Sequence, residues 1–394
     1  MKIFNKNEWK KVKLGDVCEV ITGNTPLKKI KEYWDKDEVP FITPPELKYE
    51  GINYITPNIY VSKIGAKQGR IIPKNSICVC CIGSLGKLGI LKEDAITNQQ
   101  INSLILKDKN VDLLYLYFYL KTIKNNLESI ASSTTVKIIN KSSFEKIDIN
   151  LPSLEIQKKI SKKLELLENN INFRKSQLNS LNELSKSLFI SMFFSGNKNY
   201  ERKKLKENVT EMFIGPFGSD LKNEVFVEKE RGYCVVYEQK HAIKKRIDDE
   251  IRYITKEKYE VLKRFRVDAG DIIVSCRGTI GKIFVLPSNS NFGIIHPSLM
   301  KIKLKKEKYN NTFFEKLLEK YMQENLYSIQ GSSIKMAITA KKLGEEYFII
   351  PPIELQNKFA ERIEKIEKLK FEIEKSIEVA QNLYDSLISK YFDN

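Results

Sequence analysis

A run of apolar residues spaced alternately four and three apart limits what residues 153–193 can become. Ile160, Leu164, Leu167 and Ile171 are followed by Leu178, Leu181 and Leu188, a heptad seam that predicts one long helix rather than a short globular one. About 36 helical residues would make a rod of roughly 54 Å. Residues 352–392 repeat the plan with Leu355, Phe359, Ile363, Ile366, Ile373, Ile377, Ala380 and Leu387. Setting Pro152-Ser-Leu-Glu-Ile-Gln157 against Pro351-Pro-Ile-Glu-Leu-Gln356 gives an offset of 199 (356 − 157), and the seam positions coincide under it. The rods are expected to be copies, each preceded by a domain.

A second repeat lies inside those domains. Ile77-Cys-Val-Cys-Cys-Ile-Gly83-Ser-Leu-Gly86-Lys87 aligns with Ile272-Ile-Val-Ser-Cys-Arg-Gly278-Thr-Ile-Gly281-Lys282 at an offset of 195 (278 − 83). Each reads as a buried strand entering a tight turn with two glycines, residues that suit positive φ or close backbone approach. Two readings stay open and are compatible: a plain strand junction, or a loop whose amides and Lys87 or Lys282 approach a phosphate. The aromatic patches 111–121 and 311–321 are expected in the core, since stacking aromatics sit among exposed basic residues. Polar loops follow at 131–137 and 330–335, now at the offset of 199, so the second copy holds four more residues between these landmarks.

With 394 residues the chain has room for two or three units. No apolar run approaches the roughly 20 residues of a membrane span, and the start lacks the apolar core of a signal peptide, so a soluble cytoplasmic protein is expected. Cys18, Cys78, Cys80, Cys81, Cys234 and Cys276 then read as reduced, buried thiols; Cys78, Cys80 and Cys81 lack zinc-ligand spacing. The net charge of +17 and pI near 9.3 favour a polyanionic partner. Abundant Lys, Asn and Ile would equally follow from an AT-rich genome.

Catalytic motifs are missing. Gly83-Ser-Leu-Gly-Lys-Leu88 has the wrong spacing for a P-loop, and no glycine-rich dinucleotide fingerprint opens a helix. Two histidines, His241 and His296, are too few for a metal cluster or a convincing triad. One fragment, Pro45-Glu46-Leu47-Lys48, resembles the carboxylate and lysine end of a metal-dependent nuclease site but lacks an upstream acidic partner. The chain reads as a binder without catalytic, cofactor or metal residues of its own.

Two divergent globular units, each closed by Pro-x-[Leu/Ile]-Glu-x-Gln and a long heptad helix, resemble the specificity subunit (HsdS) of type I restriction-modification systems. Val39-Pro-Phe-Ile-Thr43 and Ile214-Gly-Pro-Phe-Gly-Ser219 also resemble stretches of such recognition domains. The resemblance covers nearly the whole chain. It implies an α+β fold with a first target-recognition domain at 1–152, a central conserved helix at 153–194, a second recognition domain at 195–350 and a distal helix at 351–394. It further implies that the helices pair as an antiparallel coiled coil with pseudo-twofold symmetry, through Ile160, Leu164, Leu167, Ile171 and Leu178 on one and Phe359, Ile363, Ile366, Ile373 and Ile377 on the other. Double-stranded DNA would be read as a bipartite site. Two methyltransferase subunits carrying S-adenosylmethionine, and restriction subunits using ATP and Mg, would be the partners.

Physics supports that division of labour. A rod between two recognition units would fix the spacing of two groove contacts. In register, Ile171 matches Lys370 and Arg174 matches Ile373, so each seam carries one charge; Arg174 and Lys370 are expected to select each other or an acidic partner. Thr43, Lys67, Arg70, Lys87 and Lys137 in the first domain, with Arg264, Arg266, Arg277, Lys282 and Lys335 in the second, are the DNA-binding candidates. Arg70 is the first domain's sole arginine, whereas the second has seven. Arginine reads guanine bidentately, so guanine is expected in the second half-site. Two other readings remain open: a standalone or type II-like DNA-binding specificity protein, and a metal-dependent nuclease built on Glu46 and Lys48.

Overall fold

The computed structural model describes residues 6–124, 127, 131, 137–247, 250–330 and 338–392. Two compact units emerge: residues 1–178 with 372–394, and residues 179–371. The central helix, Leu154–Phe193, and the distal helix, Ile353–Phe392, are each 40 residues long, and each contributes part of its length to both units. No described helix is long and apolar enough to cross a membrane.

Unit 1 opens with β1 (Lys10–Lys13), which pairs antiparallel with β9 (Asp148–Leu151) and so ties the start of the domain to its end. Between them β2 (Cys18–Thr22), β8 (Ile101–Leu106), β5 (Ile77–Cys80) and β6 (Leu88–Ile90) form an antiparallel sheet in that order. A smaller sheet has the order β4 (Tyr60–Val61), β3 (Val39–Ile42), β7 (Ile96–Thr97), with β3 parallel to β7. Strand β5 is apolar throughout because both faces are covered. Ile77 and Val79 join a cluster with Leu116 and Phe118 of the helix Leu113–Thr122, while Cys78 and Cys80 face a second cluster with Ile42 and Leu91.

Unit 2 repeats this topology. Strand β10 (Glu201–Lys204) pairs with β19 (Tyr347–Ile350). The larger sheet runs β11 (Val209–Ile214), β18 (Leu299–Leu304), β15 (Ile272–Ser275), β16 (Ile283–Val285). The second sheet runs β13 (Arg252–Ile254), β12 (Cys234–Tyr237), β17 (Gly293–Ile295), β14 (Arg266–Val267), with β12 parallel to β17. The four extra residues of the second copy can now be placed. Leu91 and Leu286 make matching bonds at offset 195, whereas Thr97 and Ile295 pair at offset 198 with the strand ends Ile42 and Tyr237. Three of the four therefore enter the β16–β17 connection, a surface position where insertion costs little.

Each unit seats its domain on both long helices. In unit 1, Ile160, Leu164 and Ile171 of the central helix share a cluster with Ala380, Tyr384, Leu387 and Tyr391 of the distal one; in unit 2, Phe189 and Phe193 share one with Phe359, Ile363 and Ile366. Leu167, Leu178, Ile373 and Ile377 are half-buried. The two seam cations bond within their own helices: Lys370 Nζ lies 2.8 Å from Glu367, and Arg174 Nη1 donates to Gln177 Oε1 at 3.1 Å.

The repeated glutamine has a structural task. Gln157 and Gln356 are 1% and 0% exposed. Gln157 Oε1 accepts from Asp112 N (2.9 Å), and its Nε2 donates to Asn110 O (3.0 Å) and Pro152 O (2.9 Å). Gln356 makes the same three bonds with Asn310 N (2.9 Å), Lys308 O (3.0 Å) and Pro351 O (2.7 Å). Each clamps the start of a long helix to the loop entering the domain's own helix, satisfying backbone groups that burial would otherwise strand.

All six cysteines are buried and free. Burial pushes the thiols of Cys18, Cys78 and Cys81 up to about 12 and those of Cys234 and Cys276 up to about 11, so they behave as small apolar side chains.

Candidate nucleic-acid interface

Both units build the same construction at one end of the larger sheet. In unit 1 the pairs Thr22↔Asn102, Cys80↔Ile101 and Val79↔Leu88 bring the turn after β2, the turn after β5 and the segment before β8 to a common edge. Gly23 N donates to Ile101 O at 3.1 Å, and a Cβ there would stand 2.2 Å from Thr97 O, so a side chain at this position would collide with backbone. Around it Thr25 Oγ1 donates to Gln99 Oε1 (2.6 Å), Asn24 Nδ2 to Gln68 O (2.5 Å) and Arg70 Nη1 to Thr22 O (2.7 Å). Thr43 joins them: it follows β3, and Asn98 N bonds to Ile42 O at 3.0 Å. Lys67 is exposed at the end of the helix Lys63–Ala66, next to Gln68.

The glycine turn occupies the same edge. Gly83 and Gly86 have φ of 77° and 78°, and Gly278 and Gly281 have 67° and 79°. Space at Gly83 is open, so conformation rather than crowding demands glycine. The bonding is duplicated: Gly86 N to Cys80 O (3.0 Å) matches Gly281 N to Ser275 O (2.9 Å), and Cys80 N to Lys87 O (2.9 Å) matches Ser275 N to Lys282 O (2.8 Å). Gly83 N goes to Lys137 O at 3.0 Å. These amides thus face protein carbonyls and are not free to meet an anion. Lys87 Nζ stands 5.6 Å from the centroid of the exposed Tyr49 ring and Lys124 Nζ 4.2 Å from it, giving a cationic patch with an aromatic centre.

In unit 2, Gly215 N bonds to Leu299 O (3.0 Å), and a Cβ there would lie 2.4 Å from His296 O. Gln239, in the helix Gln239–Lys244, donates from Nε2 to Arg277 O (2.8 Å) and Thr279 O (3.0 Å), bracing the glycine turn from outside. Arg277 and Lys282 are exposed. His296 has its pKa lowered, chiefly by burial, and Nδ1 lies 2.9 Å from Ser298 Oγ, so this is a neutral, hydrogen-bonded histidine.

The remaining candidates separate. Arg266 forks onto Asp268, with contacts from 2.6 to 3.0 Å, bonds to Tyr259 Oη (3.1 Å) and lies over the Phe292 ring; Arg264 is exposed and lies over Phe265. Lys335 lies outside the described residues. Glu46, the nuclease candidate, is 6% exposed and serves as a cap: Oε2 accepts from Thr43 N (2.9 Å) and Thr43 Oγ1 (2.7 Å), and Oε1 from Asn58 (3.2 Å). Among the described residues no group of three or more His, Cys, Asp or Glu could hold a metal ion.

The model of the family described as "Type I restriction modification DNA specificity domain" matches residues 6–183 and 222–380. The chain belongs to this specificity-domain family. Among its relatives is the type I restriction enzyme MjaIX specificity subunit of Methanocaldococcus jannaschii, 27% identical over 97% of this chain and 92% of that one. The HindI specificity subunit of Haemophilus influenzae is 36% identical over 39% of this chain and 34% of its own. The S subunit of a type I restriction-modification system from M. genitalium shares the fold with a TM-score of 0.67 at 16% identity, covering 100% of this chain and 98% of that one. Within this specificity-family frame, sequence reasoning missed Tyr49, Lys124, Gln99 and Gln239. Gln99 was open to detection, since Thr97-Asn-Gln-Gln100 is a polar run immediately before strand β8. Tyr49 and Lys124 meet only through the fold.

Proposed function

We propose that this chain is the non-catalytic DNA sequence-recognition subunit of a type I restriction-modification complex, with one half-site read by each unit. The observation that carries the reading is the duplicated sheet end, held by matching bonds in the two units yet furnished with different side chains. A repeated frame with unlike contents is what two different half-sites require, since base edges are told apart by the donors and acceptors that meet them. Residues 1–152 and 195–350 are the recognition domains; 153–194 and 351–394 are conserved helices that pair as an antiparallel coiled coil. The shared apolar clusters of each unit support that pairing. Two adenine methyltransferase subunits, bringing S-adenosylmethionine, dock on this chain, and restriction subunits bring ATP and Mg. The complex works in the cytoplasm.

Lys87 and Lys282 serve phosphates, joined in unit 1 by Lys124 around Tyr49. Lys87→Ala and Lys124→Ala are each expected to weaken all duplexes alike and to reduce the slope of log K against log salt by about 0.9. A change of preference at one base position, with the slope intact, would make the lysine a base reader instead.

Co-expression with the methyltransferase subunit of a type I system tests the function. A stable complex that methylates adenine only when this chain is present is the expected outcome. Sequence-specific binding by the isolated chain without any such complex would favour a standalone recognition protein. Magnesium-dependent cleavage lost in Glu46→Ala would favour a nuclease.

A further inference from the structure

The two units carry different chemistry on one frame, and the difference assigns them different bases. At the sheet end of unit 1, side-chain amides arrive from separate segments: Asn24, which donates to the backbone of Gln68, and the run Asn98-Gln-Gln100. The frame fixes which residues correspond in unit 2. Gly23 and Gly215 bond alike to Ile101 O and Leu299 O, and Cys81 N and Cys276 N bond alike to Gln100 O (2.8 Å) and Ser298 O (2.9 Å). Pro216 therefore stands for Asn24, Pro297 for Gln99 and Ser298 for Gln100, while Arg277 stands where unit 1 has Ile82.

Within the amide cluster the bonding singles out one side chain. Asn98 and Gln100 engage each other, through Nδ2 to Oε1 at 3.0 Å and through Gln100 N to Asn98 Oδ1 at 3.1 Å. Gln99 is exposed, and the donation from Thr25 Oγ1 to its Oε1 at 2.6 Å restrains its carboxamide. Its NH2 has no hydrogen-bond partner among the described residues, and Oε1 keeps a second lone pair. Such an amide offers a donor and an acceptor side by side. Adenine presents the matching pair in the major groove, N7 as acceptor and the N6 amino group as donor, whereas guanine presents two acceptors and suits arginine.

We infer that unit 1 reads an adenine through Gln99, held in position by Thr25, while unit 2, with Pro297 in that place, is set up for guanine by Arg277 at the position of Ile82 on the same sheet end. The inference rests on the recognition role proposed above and adds the base class to it. Arg70, a strong hydrogen-bond donor nearby, braces the turn through Thr22 O.

The test uses the full chain in complex with its methyltransferase subunits and selects bound duplexes from a library randomised over both half-sites. Wild type is expected to enrich an A·T pair at a position that Gln99→Ala relaxes by about 5- to 100-fold, with every other position and the whole second half-site unchanged. Gln99→Arg is expected to move that position toward G·C. Thr25→Val should relax the same position and Thr25→Ser should restore it, which a merely structural threonine would not do. A Gln99→Ala complex with an unaltered motif, or with uniformly weaker binding, overturns the assignment; so does relaxation at a G·C position. Failure of the wild-type complex to enrich any motif overturns the recognition role itself, and the inference with it.

Discussion

Gln356→Ala is expected to destabilise the protein by about 3–5 kcal/mol, because three backbone groups lose their partner at once and each stranded buried group costs roughly 1–3 kcal/mol. Asn310 N, Lys308 O and Pro351 O are those groups, around a side chain that is 0% exposed. Thermal unfolding should shift by on the order of 10 °C. Gln356→Met keeps most of the volume and none of the bonds, so it should retain the larger part of the loss. Gln157→Ala should behave likewise in unit 1, where the bonds recur. Were alanine and methionine both within 1 kcal/mol of wild type on this scale, the clamp would have no structural role.

The second large effect concerns a charge buried in one unit and absent from the other. Lys301 is 2% exposed, and its Nζ lies 2.9 Å from Asp271, itself 2% exposed, and 2.7 Å from Glu211. At the corresponding places unit 1 has Ser103 and Ser76, both buried and neutral. Strand register supports the first match, since Ser103 faces Cys78 as Lys301 faces Ile273. Lys301→Met should cost about 3–5 kcal/mol, since it strands the Asp271 carboxylate in the core. Adding Asp271→Ser removes that charge and should recover part of the loss. Recovery is incomplete because Asp268 N then loses its 2.8 Å bond to Asp271. Urea unfolding of the two variants decides the matter: a double variant no more stable than the single one would place the cost in packing rather than charge.

Much of this architecture is legible from residue order. Heptad spacing gives both 40-residue helices, and the aligned glycines give two turns whose φ values match in sign and size. These signals are local, so one chain suffices to read them. What escapes is set by long-range pairing. Asn24, Gln68 and Gln99 lie far apart in sequence and gather because β2 ends where β8 begins and the turn after the helix Lys63–Ala66 reaches the same edge. Arg266 and Arg277 look equivalent as a composition, but Arg266 already has Asp268 and Phe292 as partners. Glu46 resembles part of a nuclease site by sequence and is a capping residue by geometry. The motif glutamine marks the family in the sequence, while its role as a clamp depends on carbonyls 47 and 48 residues away.

Methylome sequencing of a host carrying this chain and its methyltransferase partner tests the central claim most directly. A split motif with two defined blocks, a fixed unread spacer and a methylated adenine in each block is the result predicted. Exchange of residues 1–152 for those of a relative should rewrite one block and leave the other unchanged. One continuous motif, or a change in both blocks on that exchange, would contradict the assignment of one half-site to each unit.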